Sequence, residues 1–242
     1  MELYSHLARV YDEVFPIAPA AIAFIDRVAG ANGKKGCAVD LGSATGGHAF
    51  ALAERGWEVT GIEFSAELFA ISRNKQTKNG STARFLQADM RDLGRHFGVE
   101  STDLVLCLGN TLPHLSGLPE IRNFLAAARQ ILRHGGRIIL QLINFDRAGA
   151  GFVFPVITGT NFRFERSYEG LPDGGIAFDT RLSFDDGPAF ADRTALFPLT
   201  PARLESALTD ADFSIESRCA GWDGGDFDPA SSAYLIIVGV AA

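Results

Sequence analysis

Residues 38 to 56 read AVDLGSATGGHAFALAERG, an apolar run that passes through small residues into a segment patterned like a helix. Gly42 closes the run and Gly46 and Gly47 open the segment, so backbone can approach a ligand that would clash with a Cβ. Unpaired N–H groups at a helix start also suit anionic or carbonyl oxygens. The spacing is neither the G-x-G-x-x-G of a dinucleotide site nor the Gly-Lys-Ser/Thr ending of a P-loop. Alone, it also admits a tight turn that binds nothing. Glu63 ends WEVTGIEFS, about twenty residues further on, where an acidic residue takes both ribose hydroxyls or is simply a solvated carboxylate. Asp89, in LQADM, can accept a hydrogen bond from an adenine amino group while the Met90 backbone meets the ring edge, or can N-cap MRDLGRHF. Together these features mark the ends of three successive strands, the edge where open α/β sheets bind ligands.

The elements that must hold these residues alternate along the chain. GCAVDLG, EVTGIEF, ARFLQAD, TDLVLCLGN and GRIILQLIN read as strands, with amphipathic helical stretches between them, the pattern of a parallel sheet covered on both faces. In LPEIRNFLAAARQIL, residues Leu118, Ile121, Phe124, Leu125, Ala128, Ile131 and Leu132 form one apolar stripe, and Gly135 and Gly136 are expected to stop the helix. Thr200 as N-cap and Pro201 at the first helical position announce a second helix in LTPARLESALTDADF. Residues 152–197 switch to alternation. Phe162, Phe164, Arg166 and Tyr168 form one run, and Ile176, Phe178, Thr180, Leu182 and Phe184 another, with LPDGG as a hairpin turn. An antiparallel insert therefore interrupts the parallel alternation after its fifth strand. FSIESRCAGW and SAYLIIVGVAA read as two closing strands, and nothing divides residues 1–242 into two domains.

Composition narrows the partners. The 242 residues, 47% hydrophobic, suffice for one large core. No stretch approaches the roughly 18 apolar residues of a membrane span, and the amino-terminal residues lack a secretion-signal pattern, so a cytoplasmic protein is expected. Cys37, Cys107 and Cys219 lie far apart in apolar runs, as reduced buried thiols do, and suggest no metal site. A net charge of −7 disfavours a nucleic-acid partner and favours a small molecule.

VDLGSATGG, GIEFS, LQADM and DLVLCLGNTLPHL resemble the successive motifs of the class I S-adenosylmethionine-dependent methyltransferases. The resemblance covers nearly the whole chain, and GNTLPHL, with Asn110 and His114, is similar to the glycine and sarcosine N-methyltransferase branch and its small-molecule relatives. The first motif departs from the usual glycine pattern by carrying Ala44 at its middle position. The resemblance implies a Rossmann-like, mostly parallel seven-stranded sheet with an antiparallel last strand, and S-adenosyl-L-methionine across the ends of its first four strands. Asp40 would meet the methionine amino group, with Gly42, Ala44 and Gly46 letting backbone surround that end. Glu63 would hold the ribose, Phe64 would pack beside the adenine, Asp89 and Met90 would read its edge, and the Leu108 backbone would face the methionine. Residues 1–33 would form a lid whose Tyr4 and Tyr11 touch the sulfonium or carboxylate, or merely pack.

A sulfonium methyl is already activated, so in-line displacement needs alignment rather than a metal. For an amine acceptor, His114 is the nearby base by its ordinary pKa of about 6.5, or it only orients its loop beside Asn110. The expected substrate pocket has the insert as roof, with Asn110, Asp146, Trp222 and Asp223 on its walls, although Asp-Gly loops such as that of Asp223 are also ordinary turns. The insert offers a lid or a homodimer surface. Two other readings stand beside methyl transfer: a nicotinamide-dependent oxidoreductase, against which the missing G-x-G-x-x-G counts, and a non-catalytic S-adenosylmethionine-binding protein.

Overall fold

A computed structural model describes residues 2–30, 35–148 and 151–242, without the side chains of residues 2–4 and 152. Residues 1 and 31–33 of the expected lid, and the Tyr4 side chain, lie outside that description. In chain order the elements are α1 (Glu2–Leu7), α2 (Tyr11–Val14), α3 (Pro19–Ala29), β1 (Cys37–Leu41), α4 (Gly47–Ala53), β2 (Glu58–Glu63), α5 (Ala66–Asn79), β3 (Arg84–Gln87), α6 (Leu93–His96), β4 (Thr102–Cys107), α7 (Leu118–Ile131), β5 (Leu132–Ile143) and α8 (Phe145–Ala148). The insert follows as β6 (Phe152–Val153), β7 (Ile157–Thr158), β8 (Phe162–Gly170), β9 (Ile176–Phe184) and β10 (Ala189–Leu196). Last come α9 (Pro201–Asp210), β11 (Phe213–Cys219) and β12 (Tyr234–Ala241).

Seven strands form the main sheet in the order β11-β12-β5-β4-β1-β2-β3, and β12 runs antiparallel to both its neighbours. Alternate side chains of each strand serve opposite faces. Val39, Leu41, Val105 and Leu140 pack with Phe124 and Leu125 of α7 and Leu204 of α9, while Ala38, Leu104, Leu106 and Ile139 pack with Ile22 and Ile25 of α3 and Leu52 of α4. Thr200 caps α9 as expected, its hydroxyl accepting from the Arg203 N–H. The α7 stripe is buried as the spacing requires, but Gly135 and Gly136 do not end the helix. Fully buried Leu132 is already extended and pairs with Thr102, and the glycines lie inside β5 in a bulge, Gly135 at φ +74°. Leu132 cannot stay helical and still fill its place beside β4, so the chain turns at once and the glycines absorb the surplus residues.

The insert is a second, antiparallel sheet in which β10 pairs with β9 and β9 with β8, while β6 and β7 both pair with β8. Leu171–Gly175 closes the β8–β9 hairpin. Leu7, Val10 and Val14 of the amino-terminal segment share a core with Phe162, Phe164 and Leu182 of the insert. The cysteines are unbridged, with Cys107 and Cys219 buried; Cys37 is only partly buried, because it starts β1 at the sheet's amino edge beside Asp103. No helix among the described residues is long and apolar enough to cross a membrane.

The β1–α4 turn depends on Gly46, which holds φ +89° and would, with a Cβ, meet Phe85 Cζ at 2.6 Å and Phe50 Cε2 at 2.8 Å. Gly46→Ala is expected to destabilise the protein by about 2 kcal/mol or more, seen as a lower urea midpoint at unchanged slope. An unchanged midpoint would contradict this packing.

Candidate active site

A cavity of about 620 Å³ lies at the carboxyl edge of the main sheet, bounded by the turn after β1, the ends of β4 and β5, the start of β12, the inner face of the insert, and Tyr11, Asp12 and Phe15. Asp40 brings a carboxylate to its wall from the interior of the sheet. It is 2% exposed, and its Oδ2 has no hydrogen-bond partner. Burial, and then the nearby Glu63 charge, push its pKa up to about 7. Ser43 Oγ, on the same wall, is likewise buried without a partner.

The turn after β1 lines this space through Gly42, Ser43, Ala44 and Thr45. Gly42, Ala44 and Gly46 all have positive φ, and the Ala44 value of +49° is one that a residue with a Cβ rarely takes. That conformation aims the Ala44 N–H at Glu63 Oε2, 2.8 Å away, while the Ser65 N–H donates to Glu63 Oε1 at 2.7 Å. Glu63 is 7% exposed and its pKa is raised by burial, against the lowering effect of these backbone donors. Ala8 packs on Ala44 and Leu68, so the amino-terminal segment covers the loop between the cavity and Glu63. Asp12 ties that cover down by accepting from Thr45 Oγ1 at 2.5 Å and pairing with Lys75.

At the end of β4, Gly109 and Asn110 both take positive φ, and Leu108 lines the cavity. Asn110 is 8% exposed; its Oδ1 accepts from the Ile143 N–H at 3.2 Å and its Nδ2 donates to Tyr168 Oη at 3.3 Å. One amide therefore joins β4, β5 and the insert.

Of the residues expected from sequence, Tyr11, Asp40, Gly42, Ala44, Leu108, Asn110 and Trp222 line the cavity. Gly46 does not, being turned towards Phe85 and Phe50. Glu63 borders the cavity through Ala44, whereas Phe64 is 61% exposed and Asp89 stands as the cap of the Met90–Asp92 turn, its carboxylate paired with Arg91. Met90 packs against the core. His114 is exposed and off the wall, because the turn it closes buries Leu112 and Pro113 instead. Asp146 is exposed, since its neighbour Asn144 is the residue turned inward, bonding the Pro229 and Ser232 carbonyls. Asp223 is an exposed turn residue that accepts from the Gly225 N–H at 3.2 Å. The cavity residues that the sequence did not single out include His48 and Arg166. His48, placed by the first turn of α4, has its pKa lowered by burial to about 4. Arg166, a lone cation in an apolar alternating run, was the visible signal in the insert.

A family model described as a methyltransferase domain matches residues 38–136. Over 179 residues the chain is 32% identical to the glycine/sarcosine N-methyltransferase of Aphanothece halophytica, covering 72% of this chain and 65% of that protein. The corresponding enzyme of Parasynechococcus marenigrum is 30% identical, with 72% and 62% covered. The chain thus spans just under two thirds of the length of these curated relatives. Among solved structures, an S-adenosylmethionine-dependent methyltransferase from Clostridium acetobutylicum superposes with a TM-score of 0.84 at 14% identity, covering 99% of both chains. The CcbJ methyltransferase from Streptomyces caelestis superposes at 0.81 and 24% identity, covering 98% of this chain and 96% of that one. These two likenesses concern the fold alone. With the glycine turn, the strand-end carboxylates and the matched domain in agreement, the chain has the fold of the class I S-adenosylmethionine-dependent methyltransferases, and its residues 38–136 match a methyltransferase domain.

Proposed function

We propose that this chain transfers a methyl group from S-adenosylmethionine to a small-molecule acceptor, with an amine as the acceptor group. The observation that carries the reading is the buried, unpartnered Asp40 oxygen on a cavity wall beside the glycine turn. An isolated carboxylate there is costly unless a cation or donor meets it. The cofactor's ammonium is such a partner, and Ser43 Oγ supplies a second unclaimed polar atom beside it. The relatives named for glycine and sarcosine support an amine acceptor.

When bound, the cofactor supplies a methyl carbon already activated on a sulfonium. The rest falls to the chain. Asp40 would hold the ammonium and Glu63, with its remaining lone pairs, the ribose, while Phe64, Asp89 and Met90 would serve the adenine. The positive-φ turn leaves room for the methionine end, and Leu108 closes it from β4. Asn110, fixed at both ends of its amide, sets the insert over the end of β4 and so positions the acceptor for in-line approach. With His114 off the wall and His48 titrating near 4, neither ring is suited to take the acceptor's proton at neutral pH, so the acceptor enters as its neutral amine. Residues 1–33 act as the cover and 152–197 as the roof of one domain. The free thiols support a cytoplasmic setting, and the negative charge argues against a nucleic-acid partner. A homodimer through the insert would use the free edge of β10, since the outer face is ion-paired by Arg163–Glu165 and Arg193–Glu169; sedimentation velocity tests it.

Calorimetry with S-adenosylhomocysteine should show one site per chain, and S-adenosylmethionine should be consumed with a panel of small amines. No binding by folded protein would end this reading. Glu63→Ala should weaken the site by about tenfold or more, because it removes the ribose acceptor and frees the Ala44 and Ser65 N–H groups.

The Asp40 pKa sets a pH dependence. An ammonium needs the ionised carboxylate, so affinity should rise about tenfold per unit as pH climbs towards about 7 and then level off. Asp40→Asn should weaken binding and flatten that profile. Stability should move oppositely: a folded pKa above the unfolded one means stability is lost as pH rises through about 7. Above that pH the Asn variant should be more stable by on the order of 2 kcal/mol, read from thermal melts.

A further inference from the structure

One polar line crosses the otherwise apolar inner face of the insert. Strand alternation turns Phe162, Phe164, Arg166 and Tyr168 to that face, and the register sets Arg166 opposite Thr180 and Thr180 opposite Asp192. Arg166 and Thr180 both line the cavity. On the outer face, Arg163 and Arg193 are paired with Glu165, Glu169 and Asp179. Arg166 has no such partner: its guanidinium makes no hydrogen bond or ion pair with any described residue, and its Nε is buried and unsatisfied. Two rings hold it, Phe154 at 4.3 Å and Phe15 at 5.4 Å from ring centroid to guanidinium carbon.

A guanidinium cannot shed its proton, so partial burial without an anion leaves a permanent charge that cation–π contacts offset only in part. Its donor fork matches a carboxylate or phosphate. Its surroundings indicate which ligand brings that group. Phe154, beneath Arg166, also packs on Tyr168 and Tyr234, and the Tyr168 hydroxyl accepts from Asn110. Arg166 therefore belongs to the wall over the ends of β4, β5 and β12, while the unpartnered Asp40 and Ser43 stand at the end of β1. Cation and anion come from different sheets.

We infer that Arg166 is the receptor for an oxyanion on the methyl acceptor, so that the acceptor is a small acid carrying its nucleophile and a carboxylate or phosphate. This rests on the methyltransferase reading above. The two rings hold the fork in place before binding, which leaves less side-chain freedom to lose when the anion arrives.

The test titrates acetate and, separately, inorganic phosphate into wild type, Arg166→Met and Arg166→Lys by calorimetry, each with and without S-adenosylhomocysteine. Wild type should bind at least one anion. Arg166→Met should weaken that binding about tenfold or more while leaving S-adenosylhomocysteine affinity within about twofold, and Arg166→Lys should fall between them. Preference for acetate assigns a carboxylate acceptor, and preference for phosphate a phosphorylated one. The inference is overturned if wild type binds neither anion, or if folded Arg166→Met binds them unchanged. It is also overturned if anion and S-adenosylhomocysteine affinities fall together, which would give Arg166 to the cofactor's own carboxylate. Should Arg166→Met fail to fold by circular dichroism, Arg166→Lys decides between the same outcomes. Failure of wild type to bind S-adenosylhomocysteine would strike the methyltransferase reading instead, and is read in its own titration.

Discussion

A carboxylate held inside a parallel sheet is the constraint around which this molecule is arranged. Asp40 sits on β1 with β2 and β4 on either side, and its second oxygen has nothing in the protein to bond. Burying an unpartnered carboxylate works against folding, and the neighbouring Glu63 adds to that cost. The turn that follows is shaped by the same demand. Three alternate positions, Gly42, Ala44 and Gly46, take left-handed backbone, and Glu63 secures the middle one by accepting from Ala44. The strand-end acid is thus a brace for the loop as well as a candidate ribose acceptor.

The space in front of Asp40 is enclosed by parts of the chain that have no place in the parallel sheet. Leu7, Val10 and Val14 pack into the insert through Phe162, Phe164 and Leu182, so cover and roof share one core. Asn110 joins the insert to the sheet, since its amide reaches both the β5 backbone and Tyr168. Asn suits the position because it tolerates left-handed backbone while keeping a donor and an acceptor in one plane. The result is a cavity with an anion on one sheet and a cation on the other, an arrangement suited to a ligand pair of mixed charge.

Much of this could be read from the residues alone. Five parallel strands, the inserted hairpin and the α7 stripe follow from periodicity, and the Thr200 cap follows from local chemistry. The ending of α7 did not, because burial of Leu132 against β4 outweighed the usual meaning of a Gly-Gly pair. Asp89 and Asp223 serve locally as cap and turn, where a short side chain meets backbone donors within two residues.

The sequence by itself determined the strand and helix order and which acids stand at strand ends, since these depend on neighbours a few residues away. Only the tertiary structure decided which side chains share the cavity. His114 is turned outward by the buried Leu112 and Pro113, while His48 and Arg166 are turned inward by a helix and a strand that sequence could assign but not orient against each other. Orientation depends on how two sheets and a cover close over one another, and that is set by packing between residues far apart in the chain.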